Sequence, residues 1–368
     1  MGNTLLTPSV IANEAIVALR KNCVMAQLVH RDYSAEFIAK VGDTITVRKP
    51  ATFVANEYVQ GSGITVQDGV EGSVSVKMDK LLDVSFAVTT KEMSLDIKDF
   101  GTQFLDPALA AFAEKIDGYL TGLYADVPFY AAISGTPAIG DFSAMLKILN
   151  DNKAPFANRN IVFGTAAHAA FVVMEQFANA DKAGSTEALR NANAGRIFGL
   201  DSYVDQSIAT HVNGTLGTAK VKTGVAAGAS SGTLYNTSLT GTLKAGDLFK
   251  IAGDTTTYVI TKNATAAANE IAIEFYPAAA VSWASDAAVT MVTAGEVSLA
   301  FHKNAFALVT RQLELPLGTD KAAIVNYDGF AIRVVEAYDI TNKKDVISLD
   351  MLCGVKTLTP ELACRLIK

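Results

Sequence analysis

Twenty consecutive residues, Asp106 to Ala125 (DPALAAFAEKIDGYLTGLYA), carry the strongest helical signature in the chain. Asp106 reads as the residue that accepts from the free N–H groups of a first turn. Pro107 follows where a missing N–H costs nothing. Leu109, Phe112, Ile116, Tyr119, Leu120 and Leu123 then recur at spacings of three and four and form one apolar stripe, with Glu114, Lys115 and Asp117 off it. Gly118 and Gly122 each weaken a helix by about 1 kcal/mol relative to Ala, which predicts close packing or a bend at these points. Val127-Pro128 ends the segment. At 1.5 Å per residue the rod is roughly 30 Å long, enough to cross a domain, so the rest of the chain must supply what it supports.

On the N-terminal side of this helix the periodicity changes to two. A short helix is predicted from Thr7 to about Lys21, an arm that needs a surface to lie on. From Gly42 to Thr90, Thr44–Arg48, Ser73–Lys77 and Leu82–Val88 alternate as strands do. We read two long strands that fold back through Gly61-Ser62-Gly63 and project up to roughly 70 Å. An isolated two-stranded hairpin is marginal in water, so a long one implies cover from a neighbouring subunit. The residues expected to make that contact are Val47, Phe53, Val54, Tyr58, Val74, Val76 and Met78. Arg48, Lys49, Lys77 and Lys80 would pair with acidic neighbours or form an ordinary solvated face.

After the central helix, strands and helices alternate. Asp141–Asn150 is amphipathic through Phe142, Met145, Leu146 and Leu149, Arg159–Phe163 reads as a buried strand, Thr165–Phe177 as a helix and 195–204 as a turn and strand. Residues 212–294 differ, with only 10 charged residues in 83 and short strands predicted at 248–251, 256–260, 271–275 and 289–292. Such regular short strands describe a small all-β unit, a barrel or sandwich, inserted into a host domain. Glu296–Phe301 resumes the host, Phe330–Glu336 and Val346–Leu352 alternate as strands, and 355–367 closes the chain. The fold class is α+β.

The totals exclude several functions. Half of the 368 residues are hydrophobic and 18% are charged, less than the usual quarter, so the chain has either a large interior or much surface hidden against neighbours. Net charge is −6 and the 31 basic residues form no block, which argues against tight binding of phosphate backbones. There is no apolar run of membrane-spanning length and no signal-peptide pattern, so a cytosolic protein without a membrane role is expected. Cys23, Cys353 and Cys364 include no CxxC pair and read as buried free thiols.

Chemistry-bearing motifs are scarce. His30, His168, His211 and His302 occur singly, without HExxH or an acidic cluster in metal spacing. Gly228-Ala229-Ser230-Ser231-Gly232 matches the nucleophile pattern GxSxG, but it lacks the following helix that the motif requires and reads as a loop. No phosphate-binding glycine loop is present. Glu92, Asp96 and Asp99 read as a solvated turn. We therefore expect no catalytic residue, no cofactor and no metal, and an assembly protein rather than an enzyme.

Four stretches resemble the major coat proteins of short-tailed bacteriophages of the Salmonella-phage type, which share the Hong Kong 97 capsid fold. They are TPSVIANEAIVALRKNCVMAQLVHRDYSAEF (Thr7–Phe37), GDTITVRKPATF (Gly42–Phe53), AGEVSLAFHKNAFALVTRQLELP (Ala294–Pro316) and SLDMLCGVKTLTPELACRL (Ser348–Leu366). The resemblance implies an N-terminal arm (1–38), an extended loop (39–93), a peripheral domain on a spine helix (94–128 with 327–368), an axial domain (129–211 with 295–326) and an inserted β domain (212–294). It makes the central helix that spine, with Phe112 and Ile116 in its core and Gly118 and Gly122 as bend points.

The resemblance also implies pentamers and hexamers closing an icosahedral shell around double-stranded DNA; because the Lys, Asn and Glu set with which some members of the wider fold cross-link their subunits does not align in this sequence, non-covalent cohesion is expected. Because the arm begins almost at Met1, a separate scaffolding protein is expected, with a portal as a further partner and the DNA confined rather than specifically bound. The protein would be assembled in the host bacterial cytoplasm and end in the virion. Two rival readings are an encapsulin-like compartment of the same fold and a cytosolic hydrolase using Ser230.

Overall fold

The computed structural model describes residues 11–13, 15, 19, 23–31, 44–49, 53, 55–57, 60, 64, 66–69, 71–89, 105–133, 137–183, 190–192, 195–316, 321–327 and 330–368. Val54, Tyr58, the turn at Gly61–Gly63 and the acidic trio Glu92, Asp96 and Asp99 lie outside these residues. The chain divides into two compact units, one of residues 1–16, 31–101 and 308–358, the other of residues 17–30, 102–307 and 359–368.

The central helix belongs to the second unit and runs Asp106–Thr121. Leu105, not Asp106, occupies the capping position, and its backbone is already helical. Asp106 therefore lies inside the first turn, where its charge suits the helix dipole, and it caps nothing. Leu109, Phe112, Ile116 and Leu120 are buried as the stripe predicts, while Tyr119 and Leu123 are half-buried. At Gly122 the helix tightens into a 3₁₀ turn, Gly122–Asp126. A Cβ at Gly118 or Gly122 would meet nothing within 4 Å, so close packing does not explain these glycines.

Six strands make the sheet of this unit, in the order Tyr130–Ala132, Ala363–Ile367, Val297–His302, Arg159–Phe163, Leu200–Val204, Arg196–Ile197. Three of the four interior strands, 363–367, 297–302 and 159–163, are buried along their whole length, which requires cover on both faces and explains their largely apolar sequences. The helix Ile139–Asp151 lays Phe142, Met145 and Leu149 into one core with Phe163, Phe171 and Phe177. The helix predicted over 165–177 is two pieces, Thr165–Val172 and Glu175–Ala178. Glu296 accepts from the N–H groups of Ala166 and Ala167 at 3.0 and 2.9 Å and so satisfies the first turn of the former.

Within residues 212–294 the chain closes a six-stranded barrel in the order Leu248–Ile251, Tyr258–Ile260, Glu270–Tyr276, Ser231–Tyr235, Ala219–Val221, Ala288–Met291. All four predicted strands are present within two residues, and the two at 219–221 and 231–235 were not foreseen. Phe249, Tyr258, Phe275 and Trp283 fill its interior, with Phe275 stacked on Trp283 at 4.7 Å between ring centres. Ser230 is exposed and leads straight into the strand Ser231–Tyr235. The strand–turn–helix geometry of a nucleophile elbow is therefore missing, and the GxSxG match is a loop.

The first unit is a five-stranded sheet containing Phe306–Arg311, Lys344–Thr357, Phe330–Asp339 and Ala322–Tyr327, with Lys80–Thr89 paired to 344–353. Arg333 and Asp350 sit opposite each other and form an ion pair at 2.5 Å. The hairpin is shorter than predicted. Thr44–Arg48 and Ser73–Lys77 pair over five residues each, and the described residues between them carry no strand. The alternating run after Met78 leaves the hairpin to join the sheet, because ten residues of Lys80–Thr89 find partners along Lys344–Thr357. At Gly354 a Cβ would come within 2.3 Å of the Lys77 carbonyl oxygen, so this crossing needs a residue without a side chain.

Candidate subunit interface

The hairpin strands sort their side chains by the period of the strand. Ile45, Val47 and Val76 are buried, while Thr44, Thr46, Arg48, Ser73, Ser75 and Lys77 face solvent. Val47, Val76 and Met78 were expected at a contact with another subunit, but their own chain already covers them. Val47 lies opposite Val74, itself half-buried, and the pair belongs to the interior of the fold. Among the described residues between the two strands, Phe53 is 66%, Ile64 80% and Val66 81% exposed. Phe53 is among the contact residues expected from sequence; Ile64 and Val66, in the short run Ile64-Thr65-Val66, are not.

The basic residues here contribute charge rather than cohesion. Arg48 meets Glu71 at 3.7 Å and Lys80 meets Asp79 at 3.2 Å, both largely exposed, where such pairs are worth about 0–1 kcal/mol. Lys49 donates its backbone N–H to Gly72 at 2.7 Å, and Lys77 is exposed.

The central helix carries a feature its sequence concealed. Asp117, read as solvent-facing, is buried at 2% exposure and accepts from the backbone N–H groups of Val24 at 2.6 Å and Ala26 at 3.1 Å. It thereby holds the short helix Met25–Leu28 against the central helix within the second unit. Burial pushes its carboxyl up to about 7, the N–H of Val24 works against that rise, and the charge of Asp205 adds to it.

A second buried polar group joins the barrel to its host sheet. His211 Nε2 lies 2.8 Å from Asp247 Oδ1, and its Nδ1 lies 2.8 Å from the Tyr124 hydroxyl. A neutral imidazole with its proton on Nε2 satisfies both contacts. Asp247, fully buried, also accepts from the N–H groups of Lys244 and Gly214. Arg365 donates to the Gly246 and Ala125 carbonyls and lies over the Tyr124 ring, and burial pulls its guanidinium down to about 9. Leu248 and Val259 of the barrel pack on Ile367 beside this network.

The other candidate reactive groups serve packing. His168 bonds the Ala192 carbonyl, and His302 Nδ1 accepts from the N–H of Asn304. All three cysteines are buried free thiols, and burial pushes Cys353 and Cys364 up to about 12, which leaves them inert. Among the described residues no cluster of three or more His, Cys, Asp or Glu is placed to hold a metal, and no helix is long and apolar enough to cross a membrane.

Residues 208–290, which contain most of the barrel, match the family model described as distal tail protein pb9, B domain. No curated protein matches the chain. Among solved structures, a chain of Mycobacterium phage Che8 superposes with a TM-score of 0.56 at 14% identity, covering 94% of this chain and 90% of that one. The capsid structure of the cyanophage P-SCSP1u gives a TM-score of 0.50 at 12% identity, covering 89% of this chain and 84% of that one. Because these matches cover 89% or more of this chain, the chain has the Hong Kong 97 type fold of phage capsid subunits.

Proposed function

We propose that this chain is a major capsid protein of a tailed bacteriophage, a structural and non-catalytic subunit that assembles into pentamers and hexamers of an icosahedral shell. The carrying observation is the fold match over 94% of this chain to a phage chain, together with the match over 89% of it to a chain of a cyanophage capsid structure. The exposed Phe53, Ile64 and Val66 support it, since a shell subunit must present apolar surface to its neighbours.

The acidic net charge and scattered basic residues suit a container whose DNA is confined and does not adhere to the wall. The five-part division into arm, extended loop, peripheral domain, axial domain and inserted β domain belongs to this reading. So do the separate scaffolding protein, the portal, assembly in the host cytoplasm, and the kinship with Salmonella-phage coat proteins carried by the four stretches named above.

Electron microscopy of the purified protein, alone and with a scaffolding protein, tests the reading. Closed shells are expected, and a persistent monomer under all conditions refutes it. Nucleic acid inside particles recovered from infected cells separates a virion from a protein-filled compartment of the same fold.

A further inference from the structure

The short helix Met25–Leu28 is part of a strap laid against the central helix. Four residues are far too few to hold a helix together in water, and its capping residue, Val24, supplies no side-chain hydrogen bond. Asp117 provides the acceptor from outside, taking the N–H groups of Val24 and Ala26. Burial of Cys23, Met25, Ala26 and Val29 adds to the hold, and at the far end the His30 N–H donates to the Phe306 carbonyl at 3.0 Å. Residues 1–16 and 31–101 belong to the first unit, so the strap is a length of chain that enters the second unit and leaves it again.

Asp117 sits in a poor place for a charge. It is 2% exposed, and the described titratable groups nearest it are acids, Asp205 on the segment after Leu200–Val204 and Glu114 one turn earlier on the central helix. The strap brings the Cys23 thiol beside Val24 and, at its far end, His30. Lys115 turns its ammonium over the Tyr119 ring, 5.4 Å from the ring centre. Two effects compete at the carboxyl. Burial and the charge of Asp205 favour its neutral form, the N–H groups of the strap favour the ionised one, and burial prevails. Lifting the strap lets water reach the carboxyl and removes the burial penalty, so loss of the proton favours the open strap over the docked one. We propose that Asp117 is a proton-operated clasp, closed on the strap when neutral and releasing it when ionised. The docked carboxyl titrates at about 7 against 3.8 when free in water. Docking is therefore strongest below the lower value, weakens through the window between the two, and stays at its weakest above the upper one. The clasp operates in a single subunit and does not depend on the shell reading.

Amide hydrogen exchange in full-length, unassembled subunits tests the clasp, with each rate corrected for its intrinsic dependence on pH. From near pH 5 to near pH 8 the protection of the Val24 and Ala26 amides should fall about a hundredfold, because opening is linked to the loss of one proton across most of that window. At both ends of the range their protection should lie below that of the buried strand Val297–His302, since the strap opens without unfolding the sheet. In D117N the strap should keep one protection level throughout. Where D117N fails to fold, D205N takes its place: removal of the neighbouring charge should move the fall to lower pH. Strap protection that does not fall in the wild type, that equals the protection of the strand, that still falls in a folded D117N, or whose fall D205N leaves in place overturns the proposal.

Discussion

Replacing Asp117 with Asn should convert a pH-dependent subunit stability into a nearly flat one. The wild-type carboxyl titrates near 7 in the folded chain against 3.8 for the free side chain. The folded state therefore holds its proton more tightly than the unfolded state. The stability linked to that proton is fully present below the unfolded value, declines through the window from about 4 to about 7, and is lost above it. Three units at about 1.4 kcal/mol each give a decline of about 4 kcal/mol. D117N cannot titrate here, but its side chain has a single acceptor oxygen, so one of the N–H groups of Val24 and Ala26 loses its partner at a cost of about 1–3 kcal/mol. The variant should thus be less stable than wild type near pH 5 and more stable near pH 8. Urea unfolding of dissociated subunits, followed by far-ultraviolet circular dichroism across that range, measures both curves. Fluorescence of Trp283, the only tryptophan, follows the barrel separately. Parallel curves for the two proteins would refute the reasoning.

Phe112→Ala should destabilise the subunit by about 3–5 kcal/mol, because a fully packed ring leaves a cavity, and the urea midpoint reads the loss. Phe53→Ser should leave subunit stability within about 0.5 kcal/mol while lowering the yield of shells seen by sedimentation, since this ring touches water and not the core. Asp247→Ala strands His211 and the N–H groups of Lys244 and Gly214 around a buried gap, and should cost about 3–5 kcal/mol in thermal unfolding.

Much of the architecture was legible because it is written in local periodicity. The central helix announces itself through a stripe at three and four, and the barrel through short strands poor in charge. The misreadings share one cause, partners distant in sequence. Nothing near Asp117 in the chain reveals the N–H groups of residues 24 and 26, more than ninety positions away. A carboxylate next to Lys115 and Ile116 was placed on the wet face because charge is normally solvated, and only tertiary structure supplies the donors that reverse that rule. The two short barrel strands at 219–221 and 231–235 escaped for a related reason. Three to five residues flanked by Gly, Ala and Ser carry little pattern, and barrel closure stabilises what propensity does not. The long hairpin was overdrawn because alternation marks a strand without naming its partner, and Lys80–Thr89 took its partner from the C-terminal region.

The division of the hairpin into covered and uncovered residues bears on how a shell would hold together. Val47, Val76 and Met78 stabilise the fold of each subunit and are not free to join subunits. On the proposed reading, the exposed Phe53, Ile64 and Val66 serve that purpose. Covering three such side chains is worth about 1.5–3 kcal/mol each, or about 5–9 kcal/mol for the loop. Ordering two free bodies into one costs an estimated 4–15 kcal/mol. A single loop contact therefore leaves little or no surplus, and a pair of subunits joined by it alone should dissociate. In a closed ring each subunit both gives and receives a loop. The cost per subunit then falls against two contacts instead of one, and intermediates short of closure stay scarce. On the proposed reading, assembly should show a concentration threshold with monomer and closed shell as the two abundant species, and a sedimentation profile dominated by stable dimers would contradict that energetic argument.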